Sequence, residues 1–291
     1  MRVLVLGKNG QLGQCLQDQL RSSKDEVIFS SRDDIDVGEF AQTSERIFEI
    51  KPDVVINASG YTAVDNAESE PNLANHLNHL AVANLANICL SLNAIMIHFS
   101  TDYVFDGESI VAYKEDAPVN PTGVYGSTKL MGELALKNAG CKYLIIRTSW
   151  VFSEYGNNFL KTMLRLGTEK NELNVVEDQF GCPTYAQDVA HAMAVILSSG
   201  ELNNSTYGVY HFVGDTPCSW YDFARNIFSQ ASLCGLKTTP ILNPIKTVDY
   251  PTPAIRPFYS VLDTSKIKRT FRLGGSNLND GIVRVLAKLS A

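Results

Sequence analysis

Arg2-Val3-Leu4-Val5-Leu6-Gly7-Lys8-Asn9-Gly10-Gln11-Leu12-Gly13 decides the fold of this chain. The run through Leu6 is short, apolar and rich in branched side chains, as strands buried on both faces of a parallel sheet are. It enters a turn with glycine at every third position, and Leu12, Leu16 and Leu20 then recur at helical spacing. Strand, glycine-rich turn and helix together make a binding unit for a dinucleotide pyrophosphate. Gly7 permits the tight turn, Gly10 lets the backbone approach phosphate, and Gly13 lets helix and strand pack closely. Gln11 and Leu12, opening the helix, are expected to meet the same phosphates.

Outward from this unit, strand-like runs recur at residues 27–29, 54–57, 94–99 and 143–147, with helix-like segments between them. Such alternation predicts an α/β fold of the Rossmann type, a doubly wound parallel sheet with helices on both faces. One long helix is expected over residues 71–92. Pro121 is expected near the start of a helix carrying Tyr125 and Lys129, where its missing N–H costs little. After Thr148 glycine, proline and aromatic residues become denser. We therefore expect a dinucleotide-binding domain over residues 1–150 and a smaller, partly discontinuous substrate lobe over residues 151–291, with residues 178–200 returning to the first domain. Within the second lobe residues 207–213 read as a strand and 219–229 as a helix led by a capping serine. Residues 239–257 carry five prolines, which forbids a continuous helix there.

The chain has 291 residues, 45% of them hydrophobic, with a net charge of −6. That balance offers no basic footprint for nucleic acid. No apolar stretch reaches the ~18 residues of a membrane span. The first strand begins at once, so no leader is expected, and the six cysteines lack paired spacing. The expectation is a cytoplasmic enzyme with reduced cysteines. His76 and His79, three apart on a helix surface, have no Cys or carboxylate partner at ligand spacing, so no metal site is expected.

Two further segments carry chemistry. Ser100-Thr101-Asp102-Tyr103 follows the apolar run at 94–99, and Tyr125-x-x-x-Lys129 lies on one helix face. A phenol with pKa ~10 stays protonated near neutrality and can donate, and a nearby ammonium eases that donation. Thr101 adds a hydroxyl for the same carbonyl oxygen, although it also suits a turn cap after the strand. Tyr125 as general acid, Lys129 as its cation and Thr101 as hydrogen-bond donor make the equipment for reducing a carbonyl by hydride. Asp102 and Tyr103 would line the pocket beside them. After the second strand, Arg32 suits the 2′-phosphate of NADP, whereas Asp33, 20 residues past Gly13, suits the free 2′-hydroxyl of NAD. Ser31 and Arg32 come first, which favours NADPH and leaves NADH open. Gly60, Tyr61 and Thr62, following the third strand, should pass the ribose–nicotinamide side.

These features resemble the short-chain dehydrogenase/reductase superfamily, extended type. Within it, the glycine turn, residues 100–107, Arg147-Thr148-Ser149-Trp150-Val151, Asp178-Gln179-x-Gly181-x-Pro183-Thr184 and Thr252-Pro253-Ala254-x-Arg256-Pro257 are similar to the dTDP-4-dehydrorhamnose reductase family. The resemblance implies NADPH-dependent reduction of the 4-keto group of a dTDP-linked deoxysugar, the last step of dTDP-rhamnose synthesis for surface polysaccharide. It also implies that Lys129 holds the nicotinamide ribose, that Asp36 and Val37 flank adenine, and that Trp150 contacts the deoxysugar. Asn157 falls in another pocket segment of the family. Arg256 suits a bidentate clamp on the substrate diphosphate, or else an ordinary salt bridge. Some relatives bind magnesium at a subunit contact through glutamates, and Cys15 stands at one such position here. A homodimer is compatible with this reading. The rival readings are a reductase or epimerase of another nucleotide-linked keto-deoxysugar, and a non-catalytic regulatory subunit of the same fold.

Overall fold

A computed structural model describes residues 1–236 and 240–290. Thr239, the first residue of the proline-rich segment, lies outside the described residues.

The glycine turn is built as its sequence requires. Strand β1 (Arg2–Leu6) ends in Gly7, and helix α1 (Gln11–Leu20) starts directly after Gly10. Gly7 has φ +86°, and a Cβ there would lie 2.8 Å from the Ala58 carbonyl oxygen. Only glycine lets β1 turn so close to the segment leaving the third strand. At Gly13 a Cβ would fall 2.1 Å from the Gly7 carbonyl oxygen, so helix and turn touch backbone to backbone.

The chain continues through β2 (Glu26–Ser30), α2 (Phe40–Ile50), β3 (Val54–Asn57), α3 (Val64–Ala67) and α4 (Pro71–Asn75). A π-helical turn, His76–Leu80, joins α4 to α5 (Ala81–Leu92), so the expected single helix carries a bulge near its middle. Then come β4 (Ile95–Thr101), a 3-10 turn (Asp102–Val104), α6 (Val124–Asn138) and β5 (Lys142–Thr148). Pro121 lies outside α6, whose first turn is capped instead by the Glu68 carboxylate accepting from the Val124 amide at 2.8 Å.

After β5 the elements are β6 (Val151–Phe152), α7 (Phe159–Glu169), β7 (Glu172–Val176), β8 (Phe180–Gly181), β9 (Thr184–Tyr185), α8 (Ala186–Ser198) and β10 (Gly208–His211). The chain closes with β11 (Cys218–Ser219), α9 (Trp220–Leu233), β12 (Ile241–Ile245), α10 (Ser265–Phe271) and α11 (Leu278–Leu289). Ser219 caps α9 in a reciprocal box with Asp222.

Six strands form one parallel sheet in the order β10-β5-β4-β3-β1-β2. The chain reverses direction across the sheet between β1 and β3, and ligands of such folds bind in the crevice at that switch point. Alternation along each strand assigns side chains to two cores. Val3, Val5, Ile56, Ile97 and Ile146 face α1 and α8, while Leu4, Leu6, Val55, Met96 and Ile145 face α2, α5 and α6. A third core joins Phe152 of β6 and Tyr185 of β9 to Leu160, Phe223, Ile227 and Ile282 on α7, α9 and α11. The two halves of the chain interleave, because α8 packs beside α1 and β10 adds to the sheet beside β5. The proline-rich segment contributes β12, paired with β7, and no α-helix.

Candidate active site

A cleft of about 950 Å³ runs over the carboxyl ends of β1, β3, β4 and β5. Gly7, Gly10, Gln11 and Leu12 line one end, with Arg32, Asp36 and Val37 beyond them. Gly60 and Thr62 line the middle, and Thr101, Asp102, Tyr103, Tyr125 and Lys129 lie below. Trp150, Asn157 and Arg256 line the far side. Gly13, Ser31, Asp33 and Tyr61, all singled out from sequence, do not line it. Gly13 is packed against Gly7. Ser31 is buried with its amide and hydroxyl both donating to Asp34 at 2.8 Å. The Tyr61 hydroxyl turns away to donate to Glu70.

The chemistry-bearing groups sit where β4 meets α6. Thr101 ends β4, accepts from the Tyr103 amide at 3.2 Å and donates to the Asp102 carboxylate at 3.0 Å. The turn-cap geometry is therefore real, and the Thr101 hydroxyl that makes it also lies near enough to the Tyr125 phenol to favour its ionised form. Gly126 brings α6 close, since a Cβ there would lie 2.2 Å from the Tyr103 carbonyl oxygen. The Tyr103 ring meets Tyr125 edge-on at 5.7 Å.

The electrostatics differ from the expectation of a phenol eased towards ionisation by Lys129. Burial pushes Tyr125 up to about 12, the Thr101 hydroxyl opposes this, and Asp102 adds to it. Lys129 turns towards β4 instead, its Nζ donating to the Phe99 carbonyl oxygen at 2.6 Å. Burial lowers Lys129 to about 8, against the pull of Glu133. Desolvation outweighs the pairwise attraction at both groups, leaving a firmly protonated phenol above a lysine that titrates near neutrality. Burial likewise raises Asp102 to about 6 despite the hydrogen bonds it receives.

Trp150 follows β5 with φ +48°, in the left-handed region. Its ring covers Gly181, where a Cβ would lie 2.4 Å from Cε2. On its other side it stacks on Trp220, centroids 3.5 Å apart and planes 6° from parallel.

The whole chain, residues 1–291, matches the family model described as RmlD substrate binding domain. It is 40% identical to the dTDP-4-dehydrorhamnose reductase of Escherichia coli (strain K12), covering 99% of this chain and 98% of that one. The chain belongs to the dTDP-4-dehydrorhamnose reductase family. A crystal structure of a dTDP-4-dehydrorhamnose reductase from Clostridium acetobutylicum superposes with a TM-score of 0.93 at 37% identity, covering 100% of both chains. Another, from Bacillus anthracis in complex with NADP, gives a TM-score of 0.90 at 34% identity over 99% of both chains.

Several groups in this dTDP-4-dehydrorhamnose reductase family cleft escaped the sequence reading. His98 falls, with Asn57 and Ser100 of the segments already singled out, on the sheet face that is apolar earlier along β3 and β4, so a break in the alternation was its only signal. Asn78 lies in the π-helical turn, a local form common at functional sites. Its amide accepts from the Tyr61 backbone N–H at 2.9 Å and donates to the Tyr61 carbonyl at 3.0 Å, fixing the loop after β3. Trp220 lines the cleft from α9, its ring against Phe159 of the same pocket segment as Asn157. Gln11 does more than open α1. Its side-chain oxygen accepts from Ser153 at 3.0 Å and Asn158 at 2.9 Å, tying the glycine turn to the loop after β6. The Arg256 guanidinium forms a bidentate pair with Asp65, so the salt bridge is the contact it makes here. His76 is half-buried, stacking on Phe40 and bonding to the Gly38 carbonyl.

Proposed function

We propose that this chain reduces the 4-keto group of dTDP-4-dehydro-β-L-rhamnose to give dTDP-L-rhamnose, with NADPH as reductant and NADH as a weaker substitute. One observation carries the reading. Half-buried Tyr125 and buried Thr101 open into the same cleft as the Gly7–Gly13 turn, whose close backbone packing and uncapped α1 amino terminus suit a pyrophosphate. NADPH, when bound, supplies a hydride from its nicotinamide to the carbonyl carbon.

The residues of the chain do the rest. Gln11 and Leu12 present backbone N–H groups to phosphate, and Gly10, whose own N–H donates to the Gly7 carbonyl at 3.1 Å, lets the backbone approach it; Arg32 faces the 2′-phosphate end, with Asp36 and Val37 beside adenine. Thr101 and Tyr125 donate to the carbonyl oxygen as negative charge develops on it, and Tyr125 releases its proton there. Lys129 holds the ribose beneath them. Asp102, Tyr103, Trp150, Asn157 and Arg256 hold the sugar nucleotide. In this division of labour residues 1–150 with α8 serve the cofactor, and residues 151–291 mainly serve the substrate.

We also place the reaction in the cytoplasm, within synthesis of surface polysaccharide. No described helix is long and apolar enough to cross a membrane. A homodimer is part of the proposal. Leu73, Leu80, Met131 and Leu134 are exposed apolar side chains on the packed helical segments α4 to α6, a face a second copy would cover. Light scattering of the purified protein tests this, and a monomer mass at micromolar concentration would refute it.

The decisive test is NADPH oxidation, followed by nicotinamide absorbance, with enzymatically prepared dTDP-4-dehydro-L-rhamnose and NADH run in parallel. Turnover with NADPH exceeding that with NADH is expected. Binding of both cofactors without consumption of either would refute the reading and favour a non-catalytic role.

A further inference from the structure

Asn57 and His98 are register partners on adjacent strands β3 and β4, and both are buried. Their side chains replace apolar ones on the sheet face beneath α6, directly below Lys129. The hydrogen bonds around them fix which atoms donate. The Ser59 amide, which has no other capacity than to donate, points at Asn57 Oδ1 at 3.1 Å, and the Ser59 hydroxyl donates to the same oxygen. Asn57 Nδ2, carrying the amide hydrogens, then faces His98 Nδ1 at 3.2 Å. His98 Nδ1 must accept, so the ring hydrogen sits on Nε2. That Nε2 lies 3.4 Å from Lys129 Nζ.

Lys129 therefore has one backbone acceptor, the Phe99 carbonyl, and an N–H pointing at it where an ammonium needs a second acceptor. We propose that His98, locked by Asn57 and Ser59 as its Nε2–H tautomer, is a positioning residue that controls whether Lys129 rests as amine or ammonium. This rests on the reductase reading, which makes Lys129 part of the machinery, and goes beyond it by naming what sets its charge.

Burial lowers Lys129 to about 8, and burial with the Lys129 charge holds His98 well below its ordinary range, keeping the ring neutral. The other ionisable groups on elements packed around α6 have partners elsewhere. Glu133, one turn beyond Lys129, pairs with Arg147 at 2.8 and 2.7 Å and with Lys137 at 3.3 Å. His211 meets Arg147, and Asp102 meets Thr101 beside the Tyr125 phenol. Asp65 pairs with Arg256, Glu68 caps α6, Glu70 meets Tyr61, His76 meets Gly38 and His79 meets Asn75. Tyr103 packs edge-on to Tyr125. Among the described residues, His98 is the titratable side chain placed against Lys129 Nζ.

Three measurements on the full-length protein test this. Nitrogen-15 NMR of histidine-labelled protein, with His98 assigned by its loss in H98Q, is expected to show a protonated Nε2 and an unprotonated Nδ1. The opposite tautomer, or a ring that titrates near pH ~6.5, would overturn the proposal. Carbon-13 NMR of the lysine Cε is expected to show Lys129 titrating higher in H98N, by roughly half a unit or more. H98Q, which restores an N–H near the Nε2 position, is expected to return it towards wild type. Coincident titrations in wild type and folded H98N would refute the role.

The pH profile of NADPH oxidation should follow the same order, its alkaline fall moving upward in H98N and back in H98Q. The two NMR readouts need no turnover. A wild-type protein inactive on the keto-sugar would thus defeat the reductase reading while the tautomer and titration still decide this one.

Discussion

Arg256 and Asp65, 191 residues apart in sequence, form a two-point ion pair at 2.9 and 2.8 Å beside the cleft. The pair ties the proline-rich segment to α3, next to the loop that leaves β3. It is partly exposed, so it is worth no more than about 1 kcal/mol to the fold. Its consequence should appear in binding. Arg256→Ala is expected to raise KM for the sugar nucleotide roughly 10-fold to 100-fold, with kcat and melting temperature nearly unchanged. Steady-state kinetics against substrate and a thermal melt check both halves, and an unchanged KM would remove Arg256 from the substrate site.

Tyr125→Phe deletes only the phenolic oxygen from a ring already packed against Tyr103. NADPH affinity, read by fluorescence titration, is expected to stay within about 3-fold of wild type, while kcat falls roughly 100-fold to 10,000-fold. Activity close to wild type would end the assignment of Tyr125 as proton donor.

Trp220 supplies one face of the stack with Trp150 and lines the cleft from α9. Its loss removes a stacked pair worth about 0.5–1.5 kcal/mol beyond its buried area and frees a Trp150 whose backbone is held at φ +48°. Trp220→Ala is expected to weaken sugar-nucleotide binding roughly 10-fold in calorimetry and to leave NADPH binding intact. Equal loss of both ligands would mean general disorder of the lobe rather than a substrate contact.

Glu133 and Arg147 form a fully buried bidentate pair behind Lys129. Burial alone would raise the Glu133 pKa, but the Arg147 hydrogen bonds and charge outweigh it and hold the carboxyl below its ordinary range. A carboxyl depressed in the folded state stabilises the protein above its unfolded pKa of ~4.3 and loses that contribution as pH falls through the folded value. Acid unfolding is therefore expected to steepen below pH ~4. Arg147→Met, which strands the buried carboxylate, is expected to cost about 3–5 kcal/mol in urea unfolding at neutral pH and less in acid. A loss that does not shrink in acid would contradict the sign.

Arg32 is highly exposed at the second-strand end of the cleft and, among the described residues, pairs with Asp36 alone, at 2.8 Å, leaving donors for a phosphate. Arg32→Ala is expected to raise KM for NADPH roughly 10-fold to 100-fold and to leave KM for NADH within about 2-fold. If both rise together, Arg32 acts on the loop and not on the 2′-phosphate.

Much of this was legible in the residues because it is local. The glycine turn and the apolar strands rest on near-neighbour sterics and period-two alternation, so their observed limits fall within a residue or two of the expected ones. The capping serine of α9 belongs to the same class, a hydrogen bond made within one turn. Residues such as Trp220, Asn78 and His98 were missed because what matters about them is who faces them across the fold. His98 sits in an apolar run, and nothing in the run says that Asn57 lies beside it and Lys129 above it. Ser31 and Tyr61 were placed correctly along the chain, yet their side chains turn away from the cleft to reach Asp34 and Glu70.

The sequence by itself determined the doubly wound sheet, the turn at Gly7–Gly13 and the presence of Thr101, Tyr125 and Lys129, which the fold gathers in one cleft. These follow from backbone geometry and side-chain chemistry carried within short segments. Only the tertiary structure decided their electrostatic state. Tyr125 is driven up and Lys129 down because both are desolvated by elements distant in sequence, and Lys129 turns to the β4 carbonyl rather than to the phenol. Burial and the direction of each neighbouring hydrogen bond are properties of packing, and packing brings together residues that no local pattern pairs.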